Sequence, residues 1–335
     1  MAIGVDPQRP PAEGQVVHRT APETAHRAAR HIRLEPGLVT VALPAYNRPE
    51  GLDRLLGQVR AQSYRQLDIL VSDNCSPNPE VLAVAQRHAA EDNRLRVRRQ
   101  PRNLGYAGNH AWLLRHGRGE FFTWLHDDDE FPADYLERCV AFLGHYPEVV
   151  LASGSCDRYL DGQFHYRYED CNQLGLNTYE RLRQLLPDGF SCHWRHEHYQ
   201  YGVFRRAAAR HRFSPEFKAE FHHFFAMAAR GALAAVPELS FRKHTTAAHL
   251  ANHASGSFYR RHRWLRPFAG VSPSSVQQCT PLLAQMLVIV LLAPDLSPVE
   301  RARLVWTALY CYRTVTWREQ LLCWRQRWRG AARQG

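Results

Sequence analysis

The sequence predicts an α/β fold in which a mostly parallel sheet is flanked by helices. Three observations carry this. Short, nearly continuous apolar runs suit strands buried on both faces. They alternate with amphipathic stretches of about a dozen residues, the pattern of right-handed βαβ crossovers. Polar loops follow the strands, and in such sheets ligands bind beyond the strands' carboxyl ends.

Residues 1–36 are rich in Pro, Ala and Arg and read as a mostly disordered leader, with a short helix near 22–34. Order begins at "LVTVALPAYNRPEGLDRLLGQVRAQSY". Leu38 to Leu43 is a strand and Pro44 to Pro49 a loop. Glu50 to Gln62 is a helix with Leu52, Leu55, Leu56 and Val59 on one face. In "QLDILVSDNCSPNPEVLAVAQRHAAED", Leu67 to Ser72 is a strand, Asp73 to Asn78 a turn and Pro79 to Glu91 a helix. A third strand, Leu95 to Arg98, leads into "NLGYAGNHAWLLRHG", a Gly-containing loop and helix. The fourth strand, Phe121 to Leu125, lies in "EFFTWLHDDDEFP", and a helix opens at Pro132, where a missing N–H costs nothing. A fifth strand is expected at Val149 to Ser153 and a short one around Ala234 to Val236, after a helix carrying Phe221, Phe224, Phe225 and Ala228. Helices are expected from about 257 onward.

The fourth strand runs into Asp127, Asp128 and Asp129. Adjacent carboxylates repel, and more so where water is scarce. A divalent cation with oxygen ligands would offset that cost, and so would full solvation in a loop capping the next helix. The fold brings Pro44–Arg48, Asp73–Ser76, Asn103–Asn109 and Asp127–Asp129 to one rim, which favours a functional site.

The bulk numbers narrow the partners. The chain has 335 residues, net charge +11 and pI near 9.5, which suits a phosphate-bearing partner or an anionic membrane surface. Its arginines are spread along the chain and match no nucleic-acid module, so no nucleic-acid partner is expected. The eight cysteines form no CxxC pair, and no secretory signal is read at the N-terminus, so reduced thiols in a cytoplasmic protein are expected. "CHWRHEH" matches no common structural zinc spacing and reads as an aromatic acceptor-binding wall or as packing. The last stretch sets Trp317, Trp324 and Trp328 among arginines, the composition of an amphipathic helix packed on the domain or of a peripheral contact with an anionic membrane at its cytoplasmic face.

Taken as an ordered set, "VALPAYNRPEGLDRLLGQVRAQSY", "DILVSDNCSP" and "NLGYAGNHAWLLRHGRGEFFTWLHDDDEFPADYLE" resemble a family 2 glycosyltransferase with the Rossmann-like GT-A fold. The resemblance covers about 38–157 and is strongest to the branch that decorates bacterial surface polysaccharides; His126 stands where that branch has Ser. It implies a GT-A domain over 37–256, with a nucleotide-binding half to 157 and an acceptor-binding half from 158, and a helical C-terminal extension over 257–335.

The resemblance also implies roles. Pro44, Ala45, Tyr46 and Arg48 would border base and ribose. Asp73 would accept a hydrogen bond from the nucleobase, with Asn74 and Ser76 shaping that turn. Asn103, Gly105 and Asn109 would line the nucleotide pocket, Gly105 by permitting close backbone approach. Asp127 would face the ribose or sugar, and Asp128 and Asp129 would hold Mg²⁺ or Mn²⁺ against the donor's diphosphate. Arg242 and His244, in "ELSFRKHTTAAH", would contact diphosphate or metal, or lie on a surface loop. Glu220 would be the general base, although Ala219 occupies the place of the family's usual Glu and Glu216, His222 and His223 are rivals. The implied activity is inverting transfer of a sugar from a nucleotide-diphosphate donor to a glycan, lipid-linked glycan or small glycosylated acceptor. The alternative is a non-catalytic module that holds a nucleotide or membrane. A sugar-nucleotide pyrophosphorylase is disfavoured, because "PAYNRPE" replaces the Gly-rich opening that those enzymes carry.

Overall fold

The computed structural model describes residues 33–168, 172–190, 197–209, 219–246 and 275–313. The expected leader up to 32, Glu216, the Cys192–His196 part of the histidine cluster and the Trp/Arg tail beyond 313 lie outside the described residues.

The first half is built as the periodicity demands. β1 (Glu35–Ala45), α1 (Pro49–Arg60), β2 (Leu67–Asp73), α2 (Glu80–Glu91), β3 (Leu95–Arg99), α3 (Gly105–His116) and β4 (Gly119–Trp124) follow in order. β1 starts three residues before the expected Leu38. β1 pairs in parallel with β2 and with β4, and β2 pairs in parallel with β3. Along β1, Val39, Val41 and Leu43 join one apolar cluster with α1, α2 and α4 (Tyr135–His145), while Ala42 joins a second cluster on the other face. In β4, Phe121 and Phe122 divide in the same way. Burial on both faces is why these strands read as continuous apolar runs.

The second half departs from a purely parallel sheet. The strand order is β3-β2-β1-β4-β8-β6-β9-β5, with β7 on the far part of β6. The expected fifth strand is β6 (Val149–Leu160), but it does not pair with β4. β8 (Val203–Arg205) lies between them, antiparallel to both. Three residues are too few to show a period, so the sequence gives no sign of β8. The expected short strand near Ala234 is the long β9 (Ala232–Thr245), parallel to β6. Glu238, at φ 57°, and a register shift between Ser153 and Ser155 mark an irregularity within that pairing. β5 is only Asp129–Glu130 and pairs antiparallel with β9, so Asp129 leaves the expected loop and joins the sheet. β7 (Gln163–Tyr168) completes the strands. The helix expected at Pro132 begins at Tyr135.

α5 (Thr178–Phe190), α6 (Ala219–Ala228), α7 (Ser275–Leu292) and α8 (298–313) cover one face of the sheet. Leu182, Phe221, Phe225, Leu282, Met286, Val290, Leu304 and Ala308 share one buried cluster with Phe122 and Trp124. The described part of the C-terminal extension therefore closes the same core as the sheet. Arg301 fastens the hairpin between the two last helices by donating to the carbonyls of Val290, Leu291 and Ala293 at the end of α7.

At the amino ends of the strands, buried Asp68 accepts from Arg96 Nε at 2.7 Å and Nη2 at 2.8 Å, from Thr40 Oγ1 and from the Arg118 N–H. One carboxylate thus ties β1, β2, β3 and the entry to β4. Beside it, a Cβ at Gly119 would fall 2.4 Å from the Leu38 carbonyl and 2.6 Å from the Thr40 nitrogen. Those are backbone atoms and cannot yield cheaply. Gly119→Ala is expected to lower stability by about 1–3 kcal/mol in urea unfolding. Gly57→Ala, in α1 with nothing within 4 Å of the new methyl group, is expected to raise it by about 0.5–1 kcal/mol.

Candidate active site

The parallel register sets the strand ends level. Ala45 pairs with Asp73 and Ala42 with Trp124, so the loops after β1, β2 and β4 leave at one rim. The loop after β3 joins them through Gln100, whose N–H donates to the Asp73 carbonyl at 2.8 Å. Strand order reverses beside β1, which opens the crevice where such sheets bind ligands.

The floor of this crevice is a web of short polar side chains. Asn74 donates to Asn103 Oδ1 at 3.1 Å and to the Gly105 carbonyl, and accepts from the Leu104 N–H at 2.8 Å. Ser76 Oγ accepts from the Asn47 N–H, and Asn47 holds a positive φ of 62°. These bonds staple the first three loops together. Asp73, expected at the nucleobase, is fully buried; it accepts from the Ser76 N–H at 2.9 Å and from Arg99 Nη1 at 2.9 Å. It is the organiser of its own turn. Asn109, expected on the pocket wall, is also buried, with its amide engaged by Ser72 Oγ and the Ser72 carbonyl. It anchors α3 to β2 beneath the crevice. Gly105 meets nothing within 4 Å of an added Cβ, so its glycine is explained by its φ of +73° at the start of α3 and not by close packing.

Above the floor, two aromatic rings stand at the rim. Tyr46 follows β1 and Tyr106 opens α3, and each is 46% exposed. Tyr106 stacks near His110, with ring centroids 4.0 Å apart, and its hydroxyl accepts from Gln200 at 2.6 Å. Pro44 and Ala45 end β1 just below Tyr46, Pro44 half-buried and Ala45 buried.

The acidic triplet occupies the β4 side. Arg48 Nη1 lies 3.0 Å from Asp127 Oδ1 and 3.3 Å from Asp128 Oδ2. Arg54 donates to the Asp127 carbonyl at 3.0 Å. α1 presses so close that a Cβ at Gly51 would sit 2.6 Å from that carbonyl. Burial, against the pull of Arg48, pushes the Asp127 carboxyl up to about 6. Burial also opposes the Asp128 charge, but His126, Arg48 and Lys243 outweigh it and hold that carboxyl below the usual range. Asp129 is 1% exposed, and neither carboxylate oxygen meets hydrogen-bonding geometry. Burial first and the Asp128 charge second push it up to about 8, against the pull of Lys243, the Tyr201 hydroxyl and the His244 backbone.

The β5–β9 pairing corrects the reading of the closing stretch. Arg242 and His244 lie on a strand, not on a surface loop. Both face Glu130, at 3.5 and 3.3 Å, and His244 stacks on Tyr159. Lys243 between them pairs with Asp129 across the ladder and shares its face. Lys243 is therefore the cation that Asp128 and Asp129 share, and it is not among the residues the sequence reading singles out. Locating it needs the register with β5.

His126 sits beside the triplet in an aromatic cluster. The His110 Nδ1–H donates to the Tyr106 carbonyl at 3.0 Å, so His110 Nε2 accepts from His126 Nε2, 3.2 Å away. Burial drives the His110 imidazole down to about 3, which keeps it neutral. His126 Nδ1 reaches the Tyr201 hydroxyl at 3.4 Å. Glu220 stands in the first turn of α6. One turn on, His223 packs edge-on to Trp124, 5.1 Å away, so the helix that carries Glu220 rests against the end of β4.

Among the described residues, no three His, Cys, Asp or Glu side chains form a metal cage. The donor set still fits a hard cation. Asp129 offers two buried oxygens that lack hydrogen bonds, next to the half-exposed Asp128. Mg²⁺ and Mn²⁺ suit one or two carboxylates completed by water and phosphate.

Comparison with known proteins places this geometry. A 93-residue stretch is 32% identical to the GalNAc(5)-diNAcBac-PP-undecaprenol beta-1,3-glucosyltransferase of Campylobacter jejuni, over 28% of this chain and 30% of that protein. A 134-residue stretch is 33% identical to the uncharacterised protein y4gI of Sinorhizobium fredii, over 39% of this chain and 14% of that one. The match thus spans under a third of either relative's own length. Among solved structures, S. aureus TarS 1-349 in complex with UDP-GlcNAc superposes with a TM-score of 0.56 at 17% identity, covering 83% of this chain and 73% of that one. At that identity the likeness shows the fold, which is GT-A. The family model "Glycosyl transferase family 2" matches residues 40–213, just over half of the 335 residues and every loop of the rim, and the chain belongs to that family.

Proposed function

We propose that this glycosyltransferase moves one sugar, with inversion, from a nucleotide-diphosphate donor to a hydroxyl of a glycan, lipid-linked glycan or small glycosylated acceptor, assisted by Mg²⁺ or Mn²⁺. The observation that carries the reading is Asp129: a buried carboxylate beside Asp128 at the end of β4, with neither oxygen in hydrogen-bonding geometry. Ionised, these carboxylates repel a diphosphate unless cations intervene. Asp128 and Asp129 would hold the metal, which when bound neutralises charge on the departing diphosphate. Arg48 and Lys243 supply fixed positive charge on either side. The nucleotide would lie over the Asn74–Asn103 web between the Tyr46 and Tyr106 rings, with Asp127 toward ribose or sugar.

Glu220 would take the proton from the acceptor hydroxyl as its oxygen bonds to the anomeric carbon. The bond from that carbon to the diphosphate breaks on the opposite face, and the electron pair leaves with the diphosphate. Arg242 and His244 would act through Glu130, holding β5 and thereby Asp129 in place. The undecaprenol-linked substrate named for the Campylobacter relative supports a lipid-linked acceptor, and the UDP-GlcNAc bound to TarS supports a UDP-sugar as the first donor to try. A lipid-linked acceptor would bring the protein to the cytoplasmic face of a membrane as a peripheral enzyme.

A thermal-shift panel of UDP, GDP, CDP and dTDP, each with Mn²⁺ or EDTA, tests donor and metal together. One nucleotide, at about 100 times its dissociation constant, is expected to add about 2.7 kcal/mol with Mn²⁺ and much less with EDTA. Asp128→Asn should lose the metal-dependent part. No shift under any condition would sink the donor-site reading. Glu220→Gln is expected to keep the nucleotide shift while sugar transfer falls about 10²–10⁴-fold. Unchanged transfer would move the base to another residue.

A further inference from the structure

We propose that the outward face of α7 and α8 is a docking surface for an anionic lipid bilayer. Of the ten large hydrophobic residues exposed among the described residues, seven lie between 288 and 310: Val288, Leu291, Leu292, Val299, Trp306, Leu309 and Tyr310. Trp306 is 72% exposed and Leu292 77%.

Their spacing makes them a surface. The exposed positions of α8 from 299 on are Val299, Ala302, Arg303, Trp306, Leu309, Tyr310 and Arg313, a single stripe at helical spacing. The opposite face carries Leu304 and Ala308, which are buried in the core. α8 therefore carries large apolar side chains on both sides, whereas a helix at an ordinary protein surface turns a polar face to water. α7 repeats the pattern, burying Leu282, Met286 and Val290 and exposing Ala284, Val288, Leu291 and Leu292.

The charges in the stripe choose the occupant. Its only charged residues are Arg303 and Arg313, and no carboxylate stands at any of its positions. Within the stripe a second copy would oppose arginine to arginine; the nearest acids, Asp295 and Glu300, lie outside it, in the turn before α8 and on the flank of its first turn. Anionic headgroups offer phosphate to Arg303 and an acyl boundary to Trp306, Tyr310 and the leucines. The sequence from 314 to 335 continues the composition, with Trp317, Trp324, Trp328 and five arginines against one glutamate. No helix among the described residues is long and apolar enough to cross a membrane, so the face lies on the bilayer and does not span it.

This deepens the lipid-linked reading of the acceptor and rests on it for the purpose of docking, but it is tested without turnover. The full chain is floated with phosphatidylcholine vesicles, with and without about a third phosphatidylglycerol, at low and high salt. Wild type is expected to float with the anionic vesicles alone and to be released by salt. Leu292→Ser with Trp306→Ser should lower partitioning about tenfold or more, Arg303→Gln should weaken it, and the nucleotide thermal shift should stay intact. If the double variant melts early, Tyr310→Ser alone gives the same reading. The proposal falls if the variants float like wild type or if wild type floats with neither vesicle. It falls too if sedimentation shows a dimer that Trp306→Ser dissociates, which would make a second copy the occupant. Vesicle binding without any nucleotide shift would keep the docking face and remove the donor-site reading.

Discussion

The structure is organised around the cost of burying carboxylates at the end of β4. Two unit charges about 4–6 Å apart at an effective dielectric near 20 repel by about 3–4 kcal/mol, so three in a row demand compensation. The fold supplies it from three directions. Arg48 comes from the β1 loop and meets Asp127 and Asp128. Lys243 comes from β9, brought level with Asp129 by the β5 pairing. Tyr201 comes from the 3-10 turn before β8, and its hydroxyl lies beside His126. The compensation is uneven. Asp127 and Asp128 have a guanidinium, whereas Asp129 is left buried with neither oxygen hydrogen-bonded. A stable protein tolerates such a group where function requires it.

The nucleotide-binding half was legible because each of its parallel strands is buried on both faces and each loop is short. Apolar runs, helix period and polar turns all agree over residues 38–125, and agreement between levels is what makes a sequence readable. β5 and β8 were not legible, since two or three residues carry no period. Their absence from the reading had a cost. Without β5 there is no register for β9, and nothing in the sequence sets Lys243, which shares a face with Asp129, apart from Arg242 and His244. Alternation along a strand reverses such a choice with a shift of one residue.

Residue types at the rim were legible, and their division of labour was not. Asp73 and Asn109 are expected at the nucleotide and Asn74 in shaping the turn beside it; in the structure their side chains bond to Arg99, Asn103, Leu104 and Ser72, up to 37 positions away in sequence. They form a rigid floor. The groups that face outward are Tyr46, Tyr106 and Arg48, and of these Tyr106 carried no sequence signal beyond its place after a glycine. A polar floor satisfied within itself can hold the geometry of the site without the ligand. Choice of donor then falls to the exposed groups, which can differ between relatives while the floor stays the same.

The helical layer on the other face links this site to the surface. α6, with Glu220 in its first turn, packs His223 on Trp124 at the end of β4 and Phe221 and Phe225 into the cluster that holds Leu282 and Met286 of α7. α7 and α8 in turn bury one apolar face there and expose the other. Docking by that outer face would put, in order from the bilayer inward, α7 and α8, then α6, then β4 and the acidic loop. The general-base candidate would stand one helix layer from the lipid, on the side from which a lipid-linked acceptor arrives. The crevice between Tyr46 and Tyr106 would stay open to a water-soluble donor. One packing arrangement thus accounts for why the apolar surface sits on the helices behind α6 and is absent from α1 and α2, which expose no large apolar side chain.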